Sequence, residues 1–358
     1  MAVFDLFVFQ ASRLKEMGKV GSEGATVNNR MRPRYTGLVH MKITMDAVPL
    51  KFVDSVVELF GMDTFARKVR HPLWKDVVDL HRRNRIYYEV YFRKEEGGIR
   101  HVLRSWKGNK VDPLINMRML REKGRFARIV KVCDSSRDRD LSYFDEVEAL
   151  GKAETVKLLE TISPLIDPVS ASFCSEWGST YCTRMLLTSL FKRAYFRYIT
   201  LKYCGQIAYD FLEDQINNSP FLINVQIKGE NWPKSTFELI TSFCLKGNPG
   251  KRVSVFLFRG IPIDSKYVQH LFDLWRTNGN LQFELYTTEG IVDEGGLRAV
   301  MEKGTVTWNC NKRCYFFQHK TTKSLAILSS QDHVISCYTC ECNLSEECTL
   351  KKLYPKYH

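Results

Sequence analysis

No stretch of the sequence approaches the roughly 18 consecutive apolar residues that span a bilayer, so no membrane-crossing helix and no membrane partner is expected. The opening MAVFDLFVF is a poor secretory signal: no charge precedes it, Asp5 interrupts it and no small-residue cleavage site follows. Enzyme signatures are also missing. There is no phosphate loop, no GxSxG, no HExxH and no dinucleotide fingerprint after a strand. The eight histidines fall at no ligand spacing. Arg137-Asp138-Arg139-Asp140 alternates in sign, which suits a solvated charge patch better than an acid/base pair. The expectation is a non-enzymatic cytoplasmic or nuclear chain with no catalytic residue and no cofactor.

What is present is a folded composition. Of 358 residues, 44% are apolar and 12% aromatic, enough for two or three domains with real cores. The net charge of +13 points only weakly to nucleic acid. Its basic residues are scattered, apart from Arg30-Met31-Arg32-Pro33-Arg34 and His81-Arg82-Arg83-Asn84-Arg85, which suit solvated helix ends and loops. Eleven cysteines, several inside regular segments, read as reduced thiols in a reducing compartment. Cys337-Tyr-Thr-Cys340-Glu-Cys342 with Cys348, and Cys310 and Cys314 upstream, offer thiolates for tetrahedral zinc. The spacing crowds three ligands into six residues, and a strand would turn Cys337 away from Cys340 and Cys342. A reduced structural tail without metal is therefore favoured.

Along the chain, residues 1–44 read as a flexible extension containing GKVGSEGATVNNR, with Met45 just before the first organised segment. Residues 45–86 read as three short helices. In VPLKFVDSVVELF, Leu50, Phe52, Val53, Val56, Val57, Leu59 and Phe60 share one side of a helix, and Lys51, Asp54, Ser55 and Glu58 the other. Asp63 caps a second helix, and a third follows His71-Pro72 with Trp74, Val77, Val78 and His81 at helical spacing. So small a unit cannot bury its apolar face alone.

Residues 87–195 read as a mixed αβ connecting region, with strands in IYYEVYF and FARIVKV, a turn at Glu95-Glu96-Gly97-Gly98 and a helix at 153–162. Residues 196–358 contain strand-like YITLKYCG, LINVQIKG, RVSVFLFRG and LQFELYT, separated by amphipathic helices. Taken from Leu201, Ile227, Leu257 and Leu285, the intervals are 26, 30 and 28 residues. This fits a leucine-rich-repeat-like βα array, with an ordinary open βα sheet as the alternative. Tyr198, Tyr203, Phe256, Phe258 and Tyr286 divide between the two strand faces, and Trp232-Pro233 looks like a helix-entry wedge, with core packing at the end of a helix the favoured reading. The fold class expected is α+β or α/β: a three-helix unit, a β-rich segment, then the array and a Cys-rich tail.

The 48–78 segment resembles an F-box. Val48-Pro49 stands where that family has Leu-Pro, and Phe52, Val53, Val56, Val57 and Phe60 fall on its apolar helix positions. Phe65 follows, and Trp74 and Val77 continue into its closing helix. Tyr87-Tyr88, the 125–130 strand and Trp232-Pro233 are similar to the distal parts of the nematode-expanded group of divergent F-box proteins. The resemblance implies the substrate-recognition subunit of an SCF-type ubiquitin ligase. Val48, Pro49, Phe52, Val53, Val56, Val57, Phe60 and Trp74 would meet a Skp-type adaptor of the cullin complex, and the C-terminal domain an unknown target protein. The alternative is a basic repeat protein that binds nucleic acid or another protein, and the few outward basic residues on the repeat strands (Lys202, Lys228, Arg259) make nucleic acid the weaker partner.

Overall fold

A computed structural model describes residues 49–61, 72–105, 115–138, 144–145, 147–309, 312–329, 333–344 and 348–358. The proposed extension over 1–44, Val48, the helix over 64–69 with Phe65, and Cys310 lie outside the described residues. The described chain is mixed α/β, built on one twelve-stranded sheet. Two helices come first, α1 (Leu50–Glu58) and α2 (Pro72–Asn84). The hairpin β1 (Ile86–Glu95) and β2 (Gly98–Ser105) follows, turning through Glu95 and Gly98.

From there strand and helix alternate. The helix α3 (Met117–Lys123) leads into β3 (Ala127–Asp134), and α4 (Lys152–Ile162) into β4 (Ser172–Cys174). Next come α5 (Thr180–Leu190), β5 (Tyr198–Lys202), α6 (Gln206–Asn218), β6 (Asn224–Lys228), α7 (Thr236–Cys244), β7 (Val253–Leu257), α8 (Ser265–Thr277) and β8 (Phe283–Thr287). Strands β1, β3, β4, β5, β6, β7 and β8 lie side by side in chain order and all parallel. The sheet crosses residue 195 without a break, so the strands of the connecting region continue the same run.

A parallel run that never reverses its order has no switch point, and its crossovers fall on one face. The contacts agree. Helix α4 packs on α5, α5 on α6, and α6 on α7. Helices α7 and α8 meet through Phe237 and Tyr267, ring centroids 5.0 Å apart, and α8 packs on α9 (Glu294–Met301). On the sheet side the burial alternates: Ile199, Leu201, Val225, Ile227, Val253, Val255 and Leu257 are buried, and the residues between them partly exposed. Period-2 burial means that one face is packed and the other open. Phe173, Phe196 and Phe211 interlock at the centre of the packed side, with centroids 5.6 to 6.3 Å apart.

The repeat intervals need one correction. Leu201, Ile227 and Leu257 do pair across β5, β6 and β7, but Leu285 lies opposite Val255, and Thr287 is the residue opposite Leu257. A two-residue slip keeps the same face, so hydrophobicity alone does not reveal it.

The last four strands leave the pattern. The chain passes from β8 through α9 to the far edge, β9 (Thr305–Asn309), and returns as an antiparallel meander through β10 (Lys312–Gln318) and β11 (Ser324–Ser329) to β12 (His333–Thr339), which pairs with β8. Helix α10 (Thr349–Leu353) and the turn Pro355–Tyr357 close the chain described. On the open side, these tail residues lay Leu350, Tyr354 and Tyr357 over Phe316, Leu325, Ile327 and Tyr338.

One buried amide ties a repeat together. Gln215 of α6 is fully buried, accepts from the Phe196 N–H at 3.0 Å and donates to the Ala194 carbonyl at 2.7 Å. It supplies partners to the backbone entering β5, which has no ladder partner there. Gln215→Leu keeps the volume but strands both groups, and is expected to cost about 2–4 kcal/mol in denaturant unfolding. A loss within experimental error would contradict that role.

Candidate functional site

Helix α1 begins at Leu50. Pro49 is its N-cap, with φ −58° and ψ 138°, and its carbonyl accepts from the N–H groups of Phe52 at 2.9 Å and Val53 at 3.2 Å. A proline there costs no helical hydrogen bond, because the first turn's N–H groups have no partner within the helix. Val53 and Val57, one turn apart, are fully buried against Trp74, Val77 and Val78 of α2, with Val56 and Phe60 at the margin. The apolar arc of α1 is wider than this contact stripe. Leu50 is 59% exposed and Phe52 51% exposed, beside an exposed Pro49. Leu80 of α2 is also exposed.

The opposite edge of α1 is held by charge. Arg85, just past α2 and 2% exposed, donates from Nη1 to the Phe60 carbonyl at 2.6 Å and from Nη2 to the Val57 carbonyl at 2.8 Å. The guanidinium thereby binds two carbonyls at the end of α1, adding to the Phe60 N–H that Val57 already accepts at 3.0 Å. Arg85 Nε donates to His81 Nδ1 at 3.2 Å, so the proton of the neutral imidazole sits on Nε2, which donates to Asp54 Oδ1 at 2.8 Å. Asp54 also pairs with Arg125, and Glu58 lies 3.9 Å from Arg128 of β3. The His81 ring meets Phe126 edge-on, centroids 5.4 Å apart. Gly61 packs so closely that an added Cβ would sit 2.9 Å from Ser170 Oγ. Thus α1 and α2 seat on the sheet through Asp54, Glu58, His81 and Gly61, and present Leu50 and Phe52 outward.

The residues singled out in the sequence fall into three groups. Val53, Val57 and Trp74 are interior, Val56 and Phe60 half-buried, and Pro49 and Phe52 exposed. Charge at Val53 or Val57 would unfold the helix pair before it tested any contact. The basic run 81–85 is only partly a solvated surface. Arg82 and Arg83 are exposed, whereas His81 and Arg85 are buried and form the joint. Their four-residue separation was the available signal, since it places both on one side of a helix.

The open face of the sheet carries polar and aromatic residues. Phe256 and Tyr286 stack at 4.2 Å with rings 3° from parallel, and Thr200 and Gln226 continue the row across β5 and β6. Tyr198 at the start of β5 is exposed. At the other end of these strands Lys228 pairs with Glu176 at 3.2 Å and lies over the rings of Trp177 and Phe258. Trp232 packs its ring on Tyr203 and donates from Nε1 to the Lys228 carbonyl at 3.1 Å, as core packing predicts. At β8 this face meets β12: Tyr286 of β8 and Tyr338 of β12 donate to the two oxygens of Glu284, at 2.8 and 2.7 Å.

The tail also gathers cysteines. Cys337 is buried on the helix side and takes no part, but Cys340, Cys342 and Cys348 converge with His358, all four ligand atoms within 4.8 Å of one another. The histidine is the member that sequence spacing did not reveal, because a fold-back and not a local repeat brings it in. Among the described residues no helix is long and apolar enough to cross a membrane. No family model, curated protein or solved structure matches the chain.

Burial holds the His81 pKa below 6.5, against the opposing hydrogen bond to Asp54. The bond to His81, then that to Arg125, holds Asp54 below 3.8. At both groups the unfolded chain takes up its proton at a higher pH than the folded chain. Their stabilising effect is therefore complete above about pH 6.5, declines as pH falls below it, and declines again below about 3.8. Denaturant midpoints measured with Trp fluorescence from about pH 7.5 to about pH 5 should fall, and His81→Gln should flatten that slope. The same slope in the variant would contradict the assignment.

Proposed function

We propose that the chain is a substrate receptor of an SCF-type ubiquitin ligase: an F-box-like helical unit docks a Skp-type adaptor, and a leucine-rich-repeat-like sheet selects a target protein. The observation that carries the reading is the exposed Pro49-Leu50-Phe52 edge of α1. It is apolar, it stands at the residues that resemble the F-box start, and Arg85, His81 and Asp54 hold its helix rigidly from the other side. Large side chains held outward on a fixed helix suit helix-to-groove recognition, in which a few anchors dominate the affinity. In this reading Pro49, Leu50 and Phe52 make contact, Val56 and Phe60 form the margin, and Val53, Val57 and Trp74 keep the unit in shape.

The target surface in this reading is the open face, where Thr200, Gln226 and Phe256 lie side by side and Tyr198 stands two residues before Thr200 on β5. Packed neighbours on a one-sided array make a continuous, stiff surface, so little order is lost when a partner binds. The chain performs no chemistry of its own. It contributes proximity, raising the effective concentration of target lysines near a ubiquitin-charged enzyme held by the cullin. The alternative of a nucleic-acid binder is less well supported, because Lys228 on the strand ends is engaged by Glu176.

Co-expression of the full chain with a Skp-type adaptor tests the reading. The native chain should recover the adaptor, and Leu50→Asp with Phe52→Asp should lower recovery at least about tenfold with the melting temperature unchanged. No recovery by the native chain, or equal recovery by the folded double variant, would overturn it.

A further inference from the structure

We infer that Cys340, Cys342, Cys348 and His358 form a structural zinc site that pins the tail to the open face of the sheet. The four ligand atoms lie within 4.8 Å of one another, and His358 Nε2 is 3.3 Å from Cys340 Sγ and 2.9 Å from Cys342 Sγ. Zinc binds thiolate sulfur at about 2.3 Å and imidazole nitrogen at about 2.0 Å, so ligand atoms in a tetrahedral shell sit about 3.5–3.8 Å apart. The cluster therefore needs only small movements to close around an ion. Three thiolates with one imidazole favour zinc over harder cations, which prefer oxygen ligands.

The backbone around the thiols is already set. Cys340 follows β12 directly, its N–H bound to the Lys323 carbonyl at 2.9 Å, and the turn that starts at Cys342 brings that thiol to the same side. Glu341 between them faces away. Its carboxylate accepts from the Gly250 N–H at 3.0 Å, the Thr349 N–H at 3.1 Å and the Thr349 hydroxyl at 3.0 Å, so it fixes the loop without competing for the ion. The Glu341 N–H itself points at Cys348 Sγ, 3.5 Å away. Donors aimed at the sulfurs are the usual outer support of a thiolate site.

The site also answers a packing need. The tail has few apolar residues of its own, and Phe316 stacks on Tyr357 at 5.3 Å while Leu350 is fully buried. Such a segment holds to the sheet only through a handful of contacts, and a metal joining its two ends to β12 supplies the missing restraint. The inference stands on this cluster alone and does not depend on the receptor reading.

The test uses the full chain, purified from zinc-supplemented culture and reconstituted with zinc under reducing conditions. Elemental analysis should give about one zinc per chain, and Cys342→Ser with Cys348→Ser should reduce it to a background level. Cobalt substitution should give the intense absorption of tetrahedral cobalt–thiolate, absent in the double variant. Chelation should make residues 341–358 cleavable by protease while circular dichroism keeps the sheet signal. Less than about half an ion per chain after reconstitution, equal metal in the double variant, preference for another metal, or a disulfide among these cysteines would overturn it.

Discussion

The helical unit depends on one guanidinium. Arg85 sits at the joint between α2 and β1, and its two terminal nitrogens hold the Val57 carbonyl of α1 and the Phe60 carbonyl just past it. A short helix with an incomplete core cannot hold a fixed angle through Val53 and Val57 alone. Arg85 sets that angle, His81 transmits it to Asp54, and Arg125 and Arg128 join the assembly to β3. Because this buried arginine is matched to carbonyls and an imidazole, its desolvation is offset by directed hydrogen bonds. The outcome is a helix whose orientation is decided from one side, leaving Leu50 and Phe52 on the other.

The same one-sidedness governs the sheet. Parallel strands in chain order place their helices on one face, and the opposite face is partly exposed across β5 to β7, between Phe144 over β1 and β3 and the tail over the meander. Open faces of long sheets need edges that do not invite further pairing. Here the two edge strands are β2, on which Arg100 and Arg104 place charge, and β9, the outer strand of the meander. The tail then covers the meander's open side through Leu350, Tyr354 and Tyr357.

Much of this was legible in the residues. The helices 153–162, 206–216 and 265–275 show clean 3.6-residue periodicity, and the β5 to β8 strands announce themselves through β-branched runs between turn signals. Strand register was less legible, as the pairing of Leu285 with Val255 illustrates, because a shift of two residues preserves every inward side chain. The meander was not legible at all. Its strands pair with β8 only after a long return, and nothing local encodes that path.

Within the candidate site, sequence identified an apolar helix but could not sort inside from outside. Phe52 and Val53 are adjacent and equally apolar, yet one is exposed and the other buried, because α2 covers only the Val53–Val57 stripe. The spacing of His81 and Arg85 signalled a shared helix side, but their other partners, Asp54, Val57 and Phe60, lie 25 to 28 residues away, and His358 reaches the cysteines only across a fold-back. The most direct measurement of the central claim is amide hydrogen exchange across residues 49–60, with and without a Skp-type adaptor. Slowed exchange in α1 on adding adaptor, with β5 to β7 unchanged, is the result that the account predicts. Unchanged exchange in α1 at saturating adaptor would contradict it.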